Sequence, residues 1–197
     1  MDKILHNKSL SHNYNKVDIY NNWADTYEDY VESIGYNGPK NFSKVFKNLA
    51  KEEKIRVLDF GCGTGLLGNE IKNLFSNEVE LIGVDISDNM ISKAEEKGCY
   101  NKIFNANLDE LCVEAIIEKF GYFDYIVSCG VFVEGHVGFH IFEKLLQICK
   151  EAIFFTVRES LMKEDIENFD RYVRNRGTYV EQDIEYLDNV KCKLIII

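Results

Sequence analysis

At 197 residues, with 46% hydrophobic and 13% aromatic side chains, the chain has ample apolar content for one packed domain, which excludes an intrinsically disordered protein. Its 33 acidic against 23 basic side chains leave a formal charge of -10, which repels polyphosphate at long range and argues against a broad nucleic-acid surface. The six cysteines (Cys62, Cys99, Cys112, Cys129, Cys149 and Cys192) form no CxxC pair, so neither a zinc ribbon nor a redox pair is indicated and reduced, buried thiols are expected.

Residues 1 to about 15 are polar and expected to be mobile. The opening stretch MDKILHNKSLSHNYNK has no signal-peptide apolar run, and nowhere does the chain approach the ~20 apolar residues of a membrane span, so a cytoplasmic protein without membrane contact is expected. From Val17 onward, Tyr20, Trp23, Ala24, Tyr27, Tyr30, Val31 and Ile34 recur at threes and fours, which predicts one amphipathic helix stopped by Gly35. The turn YNGPK then leads to a helix over about Lys40–Ala50.

After this preface the chain alternates. IRVLDF reads as a strand, Leu66–Phe75 as a helix with Leu67, Ile71 and Leu74 inward, and VELIGVDI as the next strand. Ser87 is placed to cap a helix carrying Met90, Ile91 and Ala94, which Gly98 closes at the C′ position. A short strand YNKIF, a helix over about Asp109–Lys119, the strand FDYIVSC, a helix over about Phe139–Lys150 and the strand AIFFTV follow. Four crossovers of this length imply parallel strands. Ser160 opens a last helix, about Leu161–Asn175, after which TYVEQDIEYL and VKCKLIII, parted only by Asp188 and Asn189, read as an antiparallel hairpin. KLIII has no polar alternation and suits a strand covered on both faces. With no repeat or linker in view, the expectation is a single domain over 1–197. It is a doubly wound, Rossmann-like, mostly parallel seven-stranded sheet (51–197) with an antiparallel C-terminal hairpin and an N-terminal helical flap (16–50).

The stretch VLDFGCGTGLLG, Val57–Gly68, has the outline of a nucleotide-binding loop, and it can be spelled two ways. Gly63, Gly65 and Gly68 give the GxGxxG of a dinucleotide fold, whereas Asp59, Gly61, Gly63 and Gly65 give a DxGxGxG. In an open α/β sheet the ligand sits outside the carboxyl ends of the strands where their order reverses, and glycines let the backbone come close to it. Asp59 discriminates: a carboxylate beside the loop opposes a pyrophosphate and suits a ligand without phosphate that carries positive charge, such as S-adenosylmethionine, whose ammonium side it would face. Asp85, at the end of the second strand, is placed to accept hydrogen bonds from ribose hydroxyls in either case, its alternative being a helix N-terminal acid.

VLDFGCGTG, followed by GVDIS, NANL and FDYIVSCGVF, resembles a class I S-adenosylmethionine-dependent methyltransferase over about Val17–Ile197. More narrowly, NNWADTYEDYVESIGYNGPK and VSCGVFVEGHV are similar to the Williams-Beuren-region methyltransferase-like proteins. The resemblance implies S-adenosylmethionine as cofactor, S-adenosylhomocysteine as product and no metal. Gly61, Cys62, Gly63 and Gly65 then make the floor of the site. Asn107 in NANL matches the position that meets the adenine amino group, with Leu108 against the ring; Asn107 as a helix cap is the other reading. Ile86 and Met90 are placed to pack on adenine, Met90 alternatively as core. Ser128, with Cys129 and Gly130, ends the fourth strand beside the methionine moiety. From the N-terminal helix Tyr20 and Tyr27 are expected on the cofactor side, where rings attract a sulfonium and exclude water.

Methyl transfer is an in-line displacement, so the enzyme mainly holds the groups in line, and a base is required only if the acceptor arrives protonated. His136 in FVEGHVG is placed to act as base or acceptor anchor, with Glu134 beside it, and Arg158 to fork a carboxylate on the acceptor or to pair with a neighbouring acid. The lack of an NPPY-like motif disfavours a planar amide or adenine nitrogen as acceptor, and LQICKEAIFF lacks the Pro-Gly-Gly turn common before strand five in small-molecule methyltransferases. A small-molecule acceptor is expected. The alternatives are a protein or RNA acceptor using a groove beside Arg171, Arg174 and Arg176, a non-catalytic S-adenosylmethionine-binding module, and an NAD oxidoreductase with Asp59 turned away. Oligomeric state is not legible.

Overall fold

The computed structural model describes residues 1–51, 54–75 and 79–197. Its scaffold is one seven-stranded sheet in the order β3-β2-β1-β4-β5-β7-β6, built from β1 (Ile55–Phe60), β2 (Val79–Asp85), β3 (Lys102–Asn105), β4 (Phe123–Phe132), β5 (Cys149–Val157), β6 (Val180–Leu187) and β7 (Val190–Ile196). β1 to β5 run parallel, and β7 inserts antiparallel between β5 and β6. The hairpin turn falls at Asp188 and Asn189, with Asn189 in the left-handed region (φ 61°), a conformation Asn tolerates. Leu194 and Ile195 are fully buried, as expected of a strand covered on both faces.

Strand order reverses between β1 and β4. The loops leaving their carboxyl ends converge there, which sets the location of the site. On one face of the sheet α4 (Gly38–Leu49) and α5 (Leu66–Phe75) bury Phe42, Phe46, Ile71 and Phe75. On the other, α7 (Val113–Phe120), α8 (Phe142–Ile148), α9 (Glu159–Glu164) and α10 (Ile166–Tyr172) cover a phenylalanine cluster of Phe132, Phe139, Phe142, Phe155 and Phe169. Full burial of each such ring contributes roughly 1.5–3 kcal/mol. α6 (Asp88–Lys97) starts at Ser87, whose hydroxyl accepts from the Met90 amide, and ends at Gly98 in the left-handed conformation (φ 63°), as its sequence predicts.

Several expected boundaries shift. The polar opening carries α1 (Asp2–Ser9), seated by the His6 ring against Trp23 and Tyr30 (centroids 6.0 and 5.5 Å). The single helix expected over Val17–Ile34 is two, α2 (Lys16–Trp23) and α3 (Tyr27–Ser33). Thr26 leaves helical geometry and its amide turns back to the Trp23 carbonyl at 3.0 Å, while Tyr20, Trp23, Tyr27 and Tyr30 stay in one cluster, so the ring spacing hides the break. Leu74, expected inward, is exposed, and Phe75 takes the buried place. Residues 108–110 form a short 3₁₀ turn, so α7 begins only at Val113. The last expected helix divides into α9 and α10 at Asp165, which leaves helical geometry at ψ 45°. β4 runs three residues past Cys129: Gly130 (φ 86°) makes a bulge at which pairing with β5 jumps from Ser128 to Phe132. Among the described residues no helix is long and apolar enough to cross a membrane.

Candidate active site

The glycine loop leaves β1 at Gly61. A Cβ there would lie 2.2 Å from Val131 Cγ2, so only glycine lets the loop pass β4. Gly63 has φ 52° and nothing within 4 Å of a Cβ position, so this backbone faces open space, and its N–H donates to Asp85 Oδ2 at 2.8 Å. The second Asp85 oxygen accepts from the Ser87 amide at 3.0 Å. Burial pushes the Asp85 carboxyl above its ordinary pKa, against the pull of these amides.

A cavity of about 190 Å³ opens above this floor. Of the residues singled out by sequence, Gly61, Gly63, Asp85, Ile86, Met90, Asn107, Leu108, Tyr20, Tyr27 and His136 line it together. Asn107 does so while its side chain accepts from the Asp109 amide at 3.2 Å, so it is also a cap. Cys62 lines a smaller recess of about 50 Å³ on the far side of Gly61 and Gly63. Gly65 does not line the cavity; a Cβ there would stand 3.2 Å from Ala94 and from the Tyr100 ring.

Asp59 and Ser128 do not reach the cavity wall. The Ser128 hydroxyl donates to the Phe60 carbonyl at 2.7 Å, tying β4 to β1. Asp59 is 1% exposed and accepts from the Tyr100 hydroxyl at 2.6 Å; burial raises its carboxyl to about 7, with the Tyr100 hydrogen bond opposing. Tyr100 runs beneath the loop where three glycines leave room for it: a Cβ at Gly65, Gly68 or Gly83 would stand 3.2, 2.2 or 3.1 Å from its side chain. Sequence reasoning passed over Tyr100, and the spacing of Gly68 and Gly83, each lacking a turn to explain it, was the available signal.

The N-terminal helices form the roof. Asn21 Oδ1 accepts from the Ser87 hydroxyl (2.7 Å) and the Asn89 amide (3.2 Å), and the Asn89 side chain donates to the Asn21 carbonyl (2.9 Å), so α2 sits on the start of α6. Lys97 pairs with Glu28 and donates to the Thr64 carbonyl at 2.9 Å, joining α3 to the glycine loop. Lys16, which the sequence did not single out, lines the cavity with its ammonium on the Ser9 and Ser11 carbonyls (2.8 and 2.6 Å).

The Tyr20 hydroxyl meets His136 Nε2 at 2.7 Å, and His136 Nδ1 lies 3.1 Å from the Glu134 carbonyl. An Nδ1–H donating to that carbonyl leaves Nε2 to accept from the phenol. Burial lowers the imidazole to about 4, so His136 is neutral near pH 7 with both nitrogens engaged. Glu134 and Arg158 pair with each other (Nη1 to Oε2, 3.5 Å), and Ser160 donates to the other Glu134 oxygen. Arg158 lines a second chamber of about 70 Å³ that shares Tyr20, Tyr27, Gly130 and His136 with the first. Two of the three arginines of the suggested basic groove pair with acids: Arg174 with Asp170, and Arg176 with Glu143 at 2.9 Å.

The chemistry of this set fits an adenosyl ligand: a fixed carboxylate for ribose hydroxyls, apolar Ile86, Met90 and Leu108 for a base, and phenol rings opposite. A family model described as a methyltransferase domain matches residues 58–152. An uncharacterized protein of Rickettsia prowazekii is 29% identical over 132 residues, 66% of this chain and 48% of its own, so the chain spans about half of that relative's length. Malonyl-[acyl-carrier protein] O-methyltransferase of Bacillus cytotoxicus is 28% identical over 78 residues, 40% of this chain and 27% of that one. Among solved structures, a TehB-like SAM-dependent methyltransferase from Corynebacterium glutamicum superposes with a TM-score of 0.59 at 13% identity, covering 90% of this chain and 96% of its own. Residues 58–152 thus match a methyltransferase-domain model, and the chain has the Rossmann-like fold of the solved methyltransferase.

Proposed function

We propose that the chain transfers the methyl group of S-adenosylmethionine to a small acceptor. The observation that carries this is the roofed cavity at the β1–β4 switch point, its Asp85 carboxylate locked by two amides and one wall shared with a second chamber. When bound, S-adenosylmethionine supplies a methyl group on a sulfonium, ready for in-line displacement. Asp85 would accept from the ribose hydroxyls, Ile86, Met90 and Leu108 would flank adenine, Asn107 would take its amino group, and Gly61 and Gly63 would let the backbone approach. Tyr20 and Tyr27 would shield the sulfonium side from water, Tyr20 being held in place by neutral His136. Enclosure under the N-terminal helices favours a small acceptor over a protein or RNA. The narrower kinship with the Williams-Beuren-region methyltransferase-like proteins is supported by the location of its two defining stretches, which supply Tyr27, Gly130 and His136 to both chambers.

The test is a titration of Trp23 fluorescence, the chain's single tryptophan, with S-adenosylhomocysteine, S-adenosylmethionine and NAD, repeated on Asp85→Ala. Saturable binding of the two adenosyl ligands and not NAD is expected, weakened roughly 10- to 100-fold by Asp85→Ala, the loss of hydrogen bonds to a charged group. NAD binding in their place, or unchanged affinity in the variant, would overturn the proposal.

A further inference from the structure

The second chamber has no role in holding an adenosyl group, and its charge pattern is one-sided. We propose that it is the acceptor subsite and that it takes a small carboxylate with an apolar or aromatic body, the anionic end held by Arg158. This rests on the methyltransferase proposal, because it gives the chamber its place beside the transferred methyl.

Location comes first. Tyr20, Tyr27, Gly130 and His136 are common walls of the two spaces, so a molecule in the chamber is separated from whatever fills the larger cavity by no more than these residues. Charge comes second. Among the described residues lining the chamber Arg158 is the only Asp, Glu, Lys or Arg, and the two histidines there, His6 and His136, are both pushed toward the neutral form by burial. A cationic acceptor would face Arg158 on one side and the family's sulfonium cofactor on the other, whereas an anion is attracted to both.

The guanidinium also has unspent capacity. Among the described residues it donates no side-chain hydrogen bond and only approaches Glu134 Oε2, at 3.5 Å. That oxygen is buried without a hydrogen-bond partner, and Ser160 holds the other, so Glu134 offsets part of the guanidinium's charge but takes no hydrogen bond from its fork. A carboxylate can therefore engage Arg158 through two parallel N–H bonds, a geometry Arg supplies and Lys does not.

The walls define the remainder of the ligand. Trp23 stands edge-on to Tyr27 (5.1 Å, 83°) and Tyr36 edge-on to Tyr186 (4.9 Å, 69°), while hydroxyls are spent on protein partners: Tyr36 on Tyr186 at 3.2 Å, Tyr30 on His6 at 2.7 Å. Such a lining prefers a ring or short apolar chain, and about 70 Å³ of free space excludes a polynucleotide or a folded protein surface.

The experiment uses the full chain saturated with S-adenosylhomocysteine, whose own binding is first measured by calorimetry. Phenylacetate, phenylacetamide and phenethylamine, one body with an anionic, neutral or cationic end, are then titrated against Trp23 fluorescence. The expected result is phenylacetate binding at least tenfold tighter than the amide, with no response to the amine. Arg158→Gln should erase the acid's advantage without changing affinity for S-adenosylhomocysteine, and Arg158→Lys should restore part of it. Equal binding of acid and amide, tighter binding of the amine, no response to any of the three, or an unaffected Arg158→Gln would overturn the proposal. Failure of S-adenosylhomocysteine itself to bind would instead sink the methyltransferase proposal on which this one stands.

Discussion

Asp59 and Asp85 end neighbouring strands, yet the fold uses them differently. Asp85 presents its carboxyl to the cavity with two amides fixing it, while Asp59 lies beneath the glycine loop on the Tyr100 hydroxyl. Burial raises Asp59 from the unfolded value of 3.8 to about 7, so between these limits the folded chain binds more protons than the unfolded one and stability falls as pH rises through the window. Asn at this position still accepts from Tyr100 but has no charge to bury. Asp59→Asn should therefore be more stable than the parent at pH 8, with the advantage vanishing near pH 4. Urea unfolding at several pH values measures this, and an advantage that instead grew toward acid would contradict the burial account. Asp85, Ile86, Met90, Asn107 and Leu108 were legible in the sequence because each follows directly on a strand end or the helix start beside it. Tyr100 was not, because its contact with Asp59 spans 41 residues and the only trace of it lies in the distant Gly68 and Gly83 that make room for its ring.

At the scale of elements, the alternation of strands and helices was legible because apolar runs and caps are local signals; the Ser87 cap and Gly98 stop are examples. The break between α2 and α3 was hidden because rings at helical spacing face Trp23 from both helices. The helix over Asp2–Ser9 was missed because its sequence is mostly polar, with only Ile4 and Leu5 apolar, and its order comes from Leu5 and His6 packing on side chains later in the chain. The roof depends on few contacts, chiefly the Asn21 bonds to Ser87 and Asn89. Asn21→Ala removes the side-chain acceptor of two of them, at about 1 kcal/mol net each. It should speed dissociation of S-adenosylhomocysteine roughly tenfold while Ser87 still caps α6. Stopped-flow displacement reads this rate, and an unchanged rate would show that α2 does not gate the site.

At the scale of the molecule, parallel crossovers and the terminal hairpin together dictated the sheet, and its order places the loops after β1 and β4 side by side. The seven strands and their sense were legible; the division of the interior into two chambers with a shared wall was not, since it depends on where α1 to α3 settle on the sheet. The net charge of -10 repels a polyanion at long range. The most direct measurement is a crystal structure of the chain with S-adenosylhomocysteine. The account predicts adenine between Ile86 and Leu108, the ribose hydroxyls on Asp85, and Asp59 still on Tyr100. Adenosyl density outside this cavity, or a ribose that leaves Asp85 untouched, would contradict it.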